Sequence, residues 1–130
     1  MSLSNRKTTV TDTSKTRRSE HVEQREFVAW FRKTYPGVLI FAIPNGGYRS
    51  KATAAKLKVT GVVPGVPDLF VPGWHLWIEM KRADGGVVGT DQKKIMGQLE
   101  DCGYTCVVAW GDADAREKVE AHVRLHGYEC

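Results

Sequence analysis

The sequence predicts an α/β domain in which a central mixed β-sheet is flanked by helices. Three observations lead there. Residues 38–43 are an unbroken apolar run, Val-Leu-Ile-Phe-Ala-Ile, as expected of a buried strand. Residues 68–71 and 74–81 are two more strand-like stretches joined by Pro72-Gly73, which reads as a β-hairpin. Helical stretches stand before, between and after these strands, giving the order helix, strand, helix, strand, strand, helix, strand, helix.

Each element has its own local reason. Residues 1–19 are rich in Ser, Thr, Lys and Arg with little to bury, so they are expected to form a flexible basic arm ahead of a domain spanning 20–130. Ser19 is a good N-cap, and residues 20–33 then read as a helix with Phe27, Val28, Trp30 and Phe31 on one side. Pro36-Gly37 ends it. After the strand at 38–43, Pro44-Asn45-Gly46-Gly47 makes a loop, and the Ala- and Lys-rich stretch 50–60 a second helix. The glycines and prolines of 61–67 stiffen the approach to Asp68. A glycine-rich loop at 83–89 follows the hairpin. Thr90 caps a helix to about Asp101, Gly103 stops it, 104–110 is the last strand, and Asp112 opens a final helix to about His126.

Composition narrows the functional classes. At 130 residues, 42% hydrophobic and 26% charged, the chain is expected to form one soluble domain. It contains neither an apolar run of bilayer length nor a secretory h-region, so a cytoplasmic protein without a membrane partner is expected. Cys102, Cys106 and Cys130 lack a second Cys/His pair at zinc-site spacing and read as reduced thiols. The net charge of +4 is already reached within residues 1–19, so the remainder is neutral overall. Its distribution says more: no acidic residue lies between Phe27 and Pro67, where Arg32, Lys33, Arg49, Lys51, Lys56 and Lys58 all fall. A one-sign segment of that length fits either an anionic partner or a solvated basic face.

The hairpin carries the chemistry. Side chains alternate along a strand, so Glu79 and Lys81 share one face while Leu76, Ile78 and Met80 point to the core. Beside Asp68 on the neighbouring strand, they gather two carboxylates and an amine. Mg²⁺ or Mn²⁺ takes hard oxygen ligands, often only one or two carboxylates with waters and substrate phosphate. A lysine beside them would supply positive charge at a scissile phosphate or help orient an attacking water. The same three residues could also form a salt-bridged sheet edge. On the first helix, Glu20, Gln24, Phe27 and Phe31 fall on one stripe at 100° per residue, with Glu23 at its edge. Asn45-Gly46-Gly47 would let backbone approach a phosphate, with Arg49 and Lys51 close behind, although a plain turn would use the same residues.

These segments together resemble the VRR-NUC (virus-type replication-repair nuclease) branch of the PD-(D/E)XK superfamily. The matching stretches are Glu20-His-Val-Glu23-Gln24, Pro44-Asn45-Gly46-Gly47, Gly61-Val-Val-Pro-Gly65-Val-Pro67-Asp68-Leu69, Glu79-Met80-Lys81 and Asp91-Gln92, in the family's order. The resemblance implies a restriction-endonuclease-like fold and an Mg²⁺- or Mn²⁺-dependent endonuclease that hydrolyses DNA phosphodiesters. It implies metal ligands Asp68, Glu79, the Met80 carbonyl and Glu20 (or, alternatively, Glu23), with Lys81 as catalytic lysine and Gln92 in support. It further implies a phage or bacterial stand-alone protein, in the host cytoplasm if phage-encoded. Such a protein would act as a homodimer on branched DNA such as four-way (Holliday) junctions in replication, repair or recombination. Trp30, Phe31, Tyr35, Tyr48 and Trp74 are the aromatic residues that could line a dimer interface. A non-catalytic DNA-binding module, a nickase or flap nuclease, and a nucleotide phosphohydrolase are the rival readings.

Overall fold

The structure, a computed structural model, describes residues 18–44 and 50–128. The basic arm before Arg18, and Asn45, Gly46, Gly47, Tyr48 and Arg49, lie outside the described residues. In chain order the elements are α1 (Glu20–Thr34), β1 (Phe41–Ala42), α2 (Lys51–Val59), β2 (Leu69–Val71), a 3₁₀ turn (Pro72–Trp74), β3 (Leu76–Lys81), α3 (Thr90–Asp101), β4 (Thr105–Trp110) and α4 (Asp112–His126). All eight expected helices and strands are present in the expected order. The strands form a sheet of order β1-β2-β3-β4.

The two neighbours of β2 run antiparallel to it, with Phe41 opposite Phe70 and Leu69 opposite Ile78. Beside β3, the Thr105 N–H donates to the His75 carbonyl at 2.8 Å, and the Gly111 N–H to the Lys81 carbonyl at 2.9 Å. Both strands advance together between those bonds, so this border is parallel and the sheet is mixed.

Two expectations need correction. The apolar run at 38–43 is not a fully buried strand: Ile40 is 2% exposed, but Leu39 is 62% and Phe41 38% exposed, and only Phe41–Ala42 is strand. Among the described residues the strand lies at the end of the sheet with β2 as its neighbour, which gives its residues few neighbours to cover them. The hairpin connection is also longer than Pro72-Gly73. A 3₁₀ turn runs through Trp74, and His75 adopts the left-handed conformation (φ 51°), so β3 begins at Leu76. Trp74 is consequently buried within its own chain, as are Phe31 and Tyr35, which removes all three from the list of interface aromatics.

By its contacts the chain divides into two compact units. One holds the chain up to Val38, Met80–Val87 and the chain from Val108 onward. Its centre is Phe27 and Phe31 of α1 with Ala115 and Val119 of α4, all buried. Ser19 caps α1 as expected, accepting the Val22 N–H on its hydroxyl at 3.2 Å. The α1 aromatics continue as a chain of ring contacts from Phe27 and Trp30 to Tyr35, and the Arg116 guanidinium lies 5.5 Å from the centre of the Trp30 ring.

The other unit holds Leu39–Glu79 and Val88–Val107. Leu69, Val71, Leu76 and Ile78 are buried on one face of its strands. On the opposite face Phe70 stacks on Trp77 with ring centres 4.1 Å apart, and Tyr104 meets both edge-on. The Cys106 thiol contacts the Met96 carbonyl at 3.7 Å. Burial, aided by Glu100, pushes that thiol up to about 11, so it stays protonated and unreactive at neutral pH. Cys102 and Cys106 are both free. In contrast α2 buries none of its residues.

The loop at 61–68 explains one glycine beyond its φ angle. Gly61 (φ +107°) and Gly65 (φ +94°) both need a left-handed backbone, but a Cβ on Gly61 would meet open space. A Cβ on Gly65 would sit 2.6 Å from the Asp91 carbonyl carbon and oxygen and 2.9 Å from the Gln92 nitrogen, all backbone atoms. Gly61→Ala should therefore cost about 1 kcal/mol of stability. Gly65→Ala should cost about 1–3 kcal/mol more, because backbone cannot swing aside as a side chain can. Urea unfolding of the two variants beside wild type measures the difference, and equal losses would show that the close approach carries no energy.

Candidate active site

Asp68 and Glu79 are brought together by strand register. Leu69 pairs with Ile78, and Asp68 and Glu79 are the next residues along the two strands, so the same ladder carried one step further would oppose them. Directly opposed residues on one face have Cβ atoms about 4.5–5.5 Å apart. The Asp68 backbone is held from its other side as well, since its carbonyl accepts the Ile43 N–H at 2.8 Å. Asp68 is half-buried and Glu79 only 3% exposed.

A buried carboxylate requires hydrogen-bond partners. Gln92 supplies one: its side-chain amide donates to Glu79 Oε2 at 2.6 Å. The other end of the same amide is also engaged, as Gln92 Oε1 accepts the Gly89 N–H at 2.8 Å, at the first turn of α3. The amide is thereby fixed in orientation, oxygen toward the helix start and nitrogen toward the carboxylate. The start of α3 is in turn where Gly65 makes its close approach. Gly89, rather than Thr90, stands at the N-cap position of α3. The family resemblance offered Gln92 in support of the site; nothing in the sequence marked Gly65 as making a close approach to its backbone.

Along β3, Met80 and Lys81 follow Glu79 directly. Met80 is fully buried on the core face, and Lys81, on the Glu79 face by alternation, is 6% exposed. The backbone of Lys81 is held by the Gly111 N–H.

The acids of α1 occupy different environments from those the helical stripe suggested. The buried positions are Glu23, Phe27 and Phe31, whereas Glu20 is exposed. A spacing of four counted back from Phe31 and Phe27 lands on Glu23, which is the signal that identifies it. Its carboxylate accepts the Asp112 N–H at 2.9 Å on Oε1, and Arg18 lies 3.9 Å from the same oxygen. Glu23 thus satisfies one of the free N–H groups at the start of α4 and places negative charge at the positive end of that helix. Gly111, just before, is buried with φ +93°, and a Cβ there would lie 2.8 Å from that of Ala83 and 3.6 Å from the Glu23 carboxyl carbon. A cavity of about 420 Å³ opens beside this cap, lined by Arg18, Glu23, Asp84 and Trp110 among others. None of Asp68, Glu79 and Lys81 lines it.

The donor set suits a hard divalent cation. No cluster of three or more His, Cys, Asp or Glu side chains in metal-binding geometry occurs among the described residues. Two opposed carboxylates meet the needs of Mg²⁺ or Mn²⁺, which complete their shells with water and phosphate oxygen. The absence of a Cys/His set in this group matches neither zinc nor a soft metal. Among the DNA-contact candidates, only Lys51 lies within the described residues; it is exposed at the first turn of α2, where Ser50 is the N-cap.

No protein-family model and no curated protein matches this sequence. A search of solved structures finds a VRR_NUC domain protein with a TM-score of 0.70 and 25% sequence identity, covering 83% of this chain and 90% of that one. That similarity extends over nearly the whole of both chains, and the mixed four-stranded sheet with its helices is the PD-(D/E)XK-like arrangement. Fold, order of motifs and structural neighbour agree in supporting a VRR-NUC domain.

Proposed function

We propose that this protein is a metal-dependent endonuclease that hydrolyses phosphodiester bonds in DNA, with Asp68, Glu79 and Lys81 at its centre. The observation that carries the reading is the buried Glu79 carboxylate held by Gln92, on a strand whose antiparallel partner begins just after Asp68. An ordinary sheet edge has no reason to bury an acid and fix its orientation through a helix start.

Asp68 and Glu79, with the Met80 carbonyl, would hold the cation, and Glu20 is the proposed helix acid. Glu23 suits that role less, since its carboxylate caps α4. The cation, when bound, would polarise the phosphoryl oxygen and lower the pKa of water. Gln92 fixes one oxygen of Glu79 by donation, which would orient the carboxylate for a ligand. Lys81 places an ammonium donor on the same face, where it would hold a phosphate oxygen or orient the attacking water. The exposed Lys51, Lys56 and Lys58 of α2, a helix with nothing buried, support a contact with the DNA backbone. Asn45, Gly46, Gly47 and Arg49 complete that proposed contact. Among the described residues no helix is long and apolar enough to cross a membrane.

The finer reading is a homodimer acting on branched DNA. Two coordinated cuts resolve a four-way junction, and two-fold symmetry supplies two sites in opposed strands. The exposed Leu39 and Phe41 at the end of the sheet support an interface more than the aromatics that prove buried.

Asp68→Ala, Glu79→Ala and Lys81→Ala should each lower cleavage by about 10³-fold or more, because groups acting as a unit are lost together. Gln92→Ala should lower it less, by about 10- to 100-fold, as expected for a group that orients a ligand. Single-turnover cleavage of labelled DNA by the folded variants gives the comparison; wild-type rates in Asp68→Ala or Glu79→Ala would remove this site. EDTA should abolish cleavage while leaving the thermal midpoint within a few degrees, in contrast to a structural zinc site. A large fall in the midpoint would mean that the cation holds the fold. A panel of four-way, flap, splayed and duplex DNA, with light scattering at low micromolar protein, tests the finer reading. Paired cuts on the four-way substrate and twice the 14.5 kDa chain mass are expected; a monomer that only nicks would overturn it.

A further inference from the structure

Lys81 is held by more than its own strand. The glycine-rich loop after β3 folds back so that the Gly86 backbone lies on the lysine's aliphatic stem. A Cβ on Gly86 would stand 2.9 Å from Lys81 Cβ, 3.2 Å from Lys81 Cδ and 3.2 Å from the Arg82 nitrogen. Only a residue without a side chain lets the loop come that close. The loop is pinned there by Trp110, whose indole Nε1–H donates to the Gly86 carbonyl at 2.6 Å.

Trp110 is itself fixed from three directions. Its backbone N–H donates to Asp114 Oδ2 at 2.9 Å, and the same oxygen receives Lys118 Nζ at 2.9 Å. Lys118 Nζ also donates to the Val108 carbonyl at 2.7 Å and lies 5.0 Å from the centre of the Trp110 ring. The next residue, Gly111, donates its N–H to the Lys81 carbonyl at 2.9 Å. Two consecutive residues at the end of β4 therefore hold Lys81, one through its backbone and one, via Gly86, through its stem.

We infer that Trp110 is a positioning residue for Lys81, acting through Gly86 to confine the lysine side chain to one path. This rests on the reading of Lys81 as a functional group of the site. A lysine side chain has four rotatable bonds and loses much rotamer entropy when it is held in one conformation. Fixing its stem before substrate arrives moves part of that cost from the reaction into folding. It also accounts for an exposed tryptophan on a loop carbonyl, since a stacking or core role would leave the indole N–H without purpose. Trp110 is 38% exposed, which places it outside the core.

The test uses full-length wild type, Trp110→Phe and Gly86→Ala. The phenylalanine keeps an aromatic ring at this position and removes the indole N–H donor, with a smaller ring. Acetic anhydride labelling, followed by peptide mass, compares Lys81 with the exposed Lys56 as internal reference. Lys81 acetylation should rise severalfold in both variants while Lys56 stays constant. Cleavage should lose about 10-fold in kcat for Trp110→Phe with KM unchanged, in line with a misplaced catalytic group. Adding Trp110→Phe to Lys81→Ala should cost nothing further, since the two changes act through one side chain. Unchanged Lys81 labelling in both variants would overturn the inference whatever the activity. An undiminished Trp110 effect in the Lys81→Ala background would also overturn it. Raised Lys81 labelling in a protein whose wild type cleaves no DNA would instead sustain the clip and defeat the nuclease reading.

Discussion

The burial of the Glu79 carboxylate is the constraint on which the unit around it depends. Removing a charged group from water costs several kcal/mol unless donors replace the lost hydration, and one of those donors is the Gln92 amide at 2.6 Å. Gln92 can deliver it only if its own oxygen is satisfied, which the Gly89 N–H does. The start of α3 must therefore stand at a fixed place beside β3. Gly65 allows the 61–68 loop to come against that helix start at backbone-contact distance. A single chemical need thus runs from an acid, through an amide, to the helix start on which a glycine rests.

The second unit solves a similar problem with different parts. Glu23 is also a nearly buried carboxylate, and its compensation is the Asp112 N–H at the start of α4 together with Arg18. In one case the side chain of a helix's first turn serves a strand acid; in the other an acid of one helix serves the backbone of another. The start of α4 is reinforced by its own residues, with Arg116 paired to both oxygens of Asp112 at 2.8 Å. That pairing raises the guanidinium pKa further above its ordinary value. The difference between the two acids bears on function. Glu23 receives the backbone of a neighbouring helix, whereas Glu79 is oriented by a side-chain amide, as the proposed ligand role would require.

The glycines separate into classes for the same reason. Those at Gly37, Gly61, Gly103 and Gly127 turn the chain through positive φ and would meet nothing with a Cβ. Gly65, Gly86 and Gly111 instead permit contact, with backbone at α3, with the Lys81 stem and with Ala83 respectively. The contact class lies next to the proposed functional residues, and the turning class ends helices and shapes loops.

Much of this was legible in the sequence, and for identifiable reasons. The hydrophobic alternation of 76–81 put Glu79 and Lys81 on one face, the cap at Ser19 and the stop at Gly103 bounded their helices, and the motif order pointed to the family that the solved structure supports. Those features are local, written within a few residues by strand period, turn chemistry and capping. What only the tertiary structure decided involved residues far apart in the chain. The register that pairs Leu69 with Ile78, the choice of Glu23 over Glu20 as the buried acid, and the reach of Trp110 to Gly86, 24 residues away, belong here. The exposure of the 38–43 run belongs here too, because whether an apolar strand is covered depends on how many neighbours the sheet gives it. A sequence states which side chains want partners; only packing decides which partner arrives, because that choice is made by chain segments that meet late and from a distance.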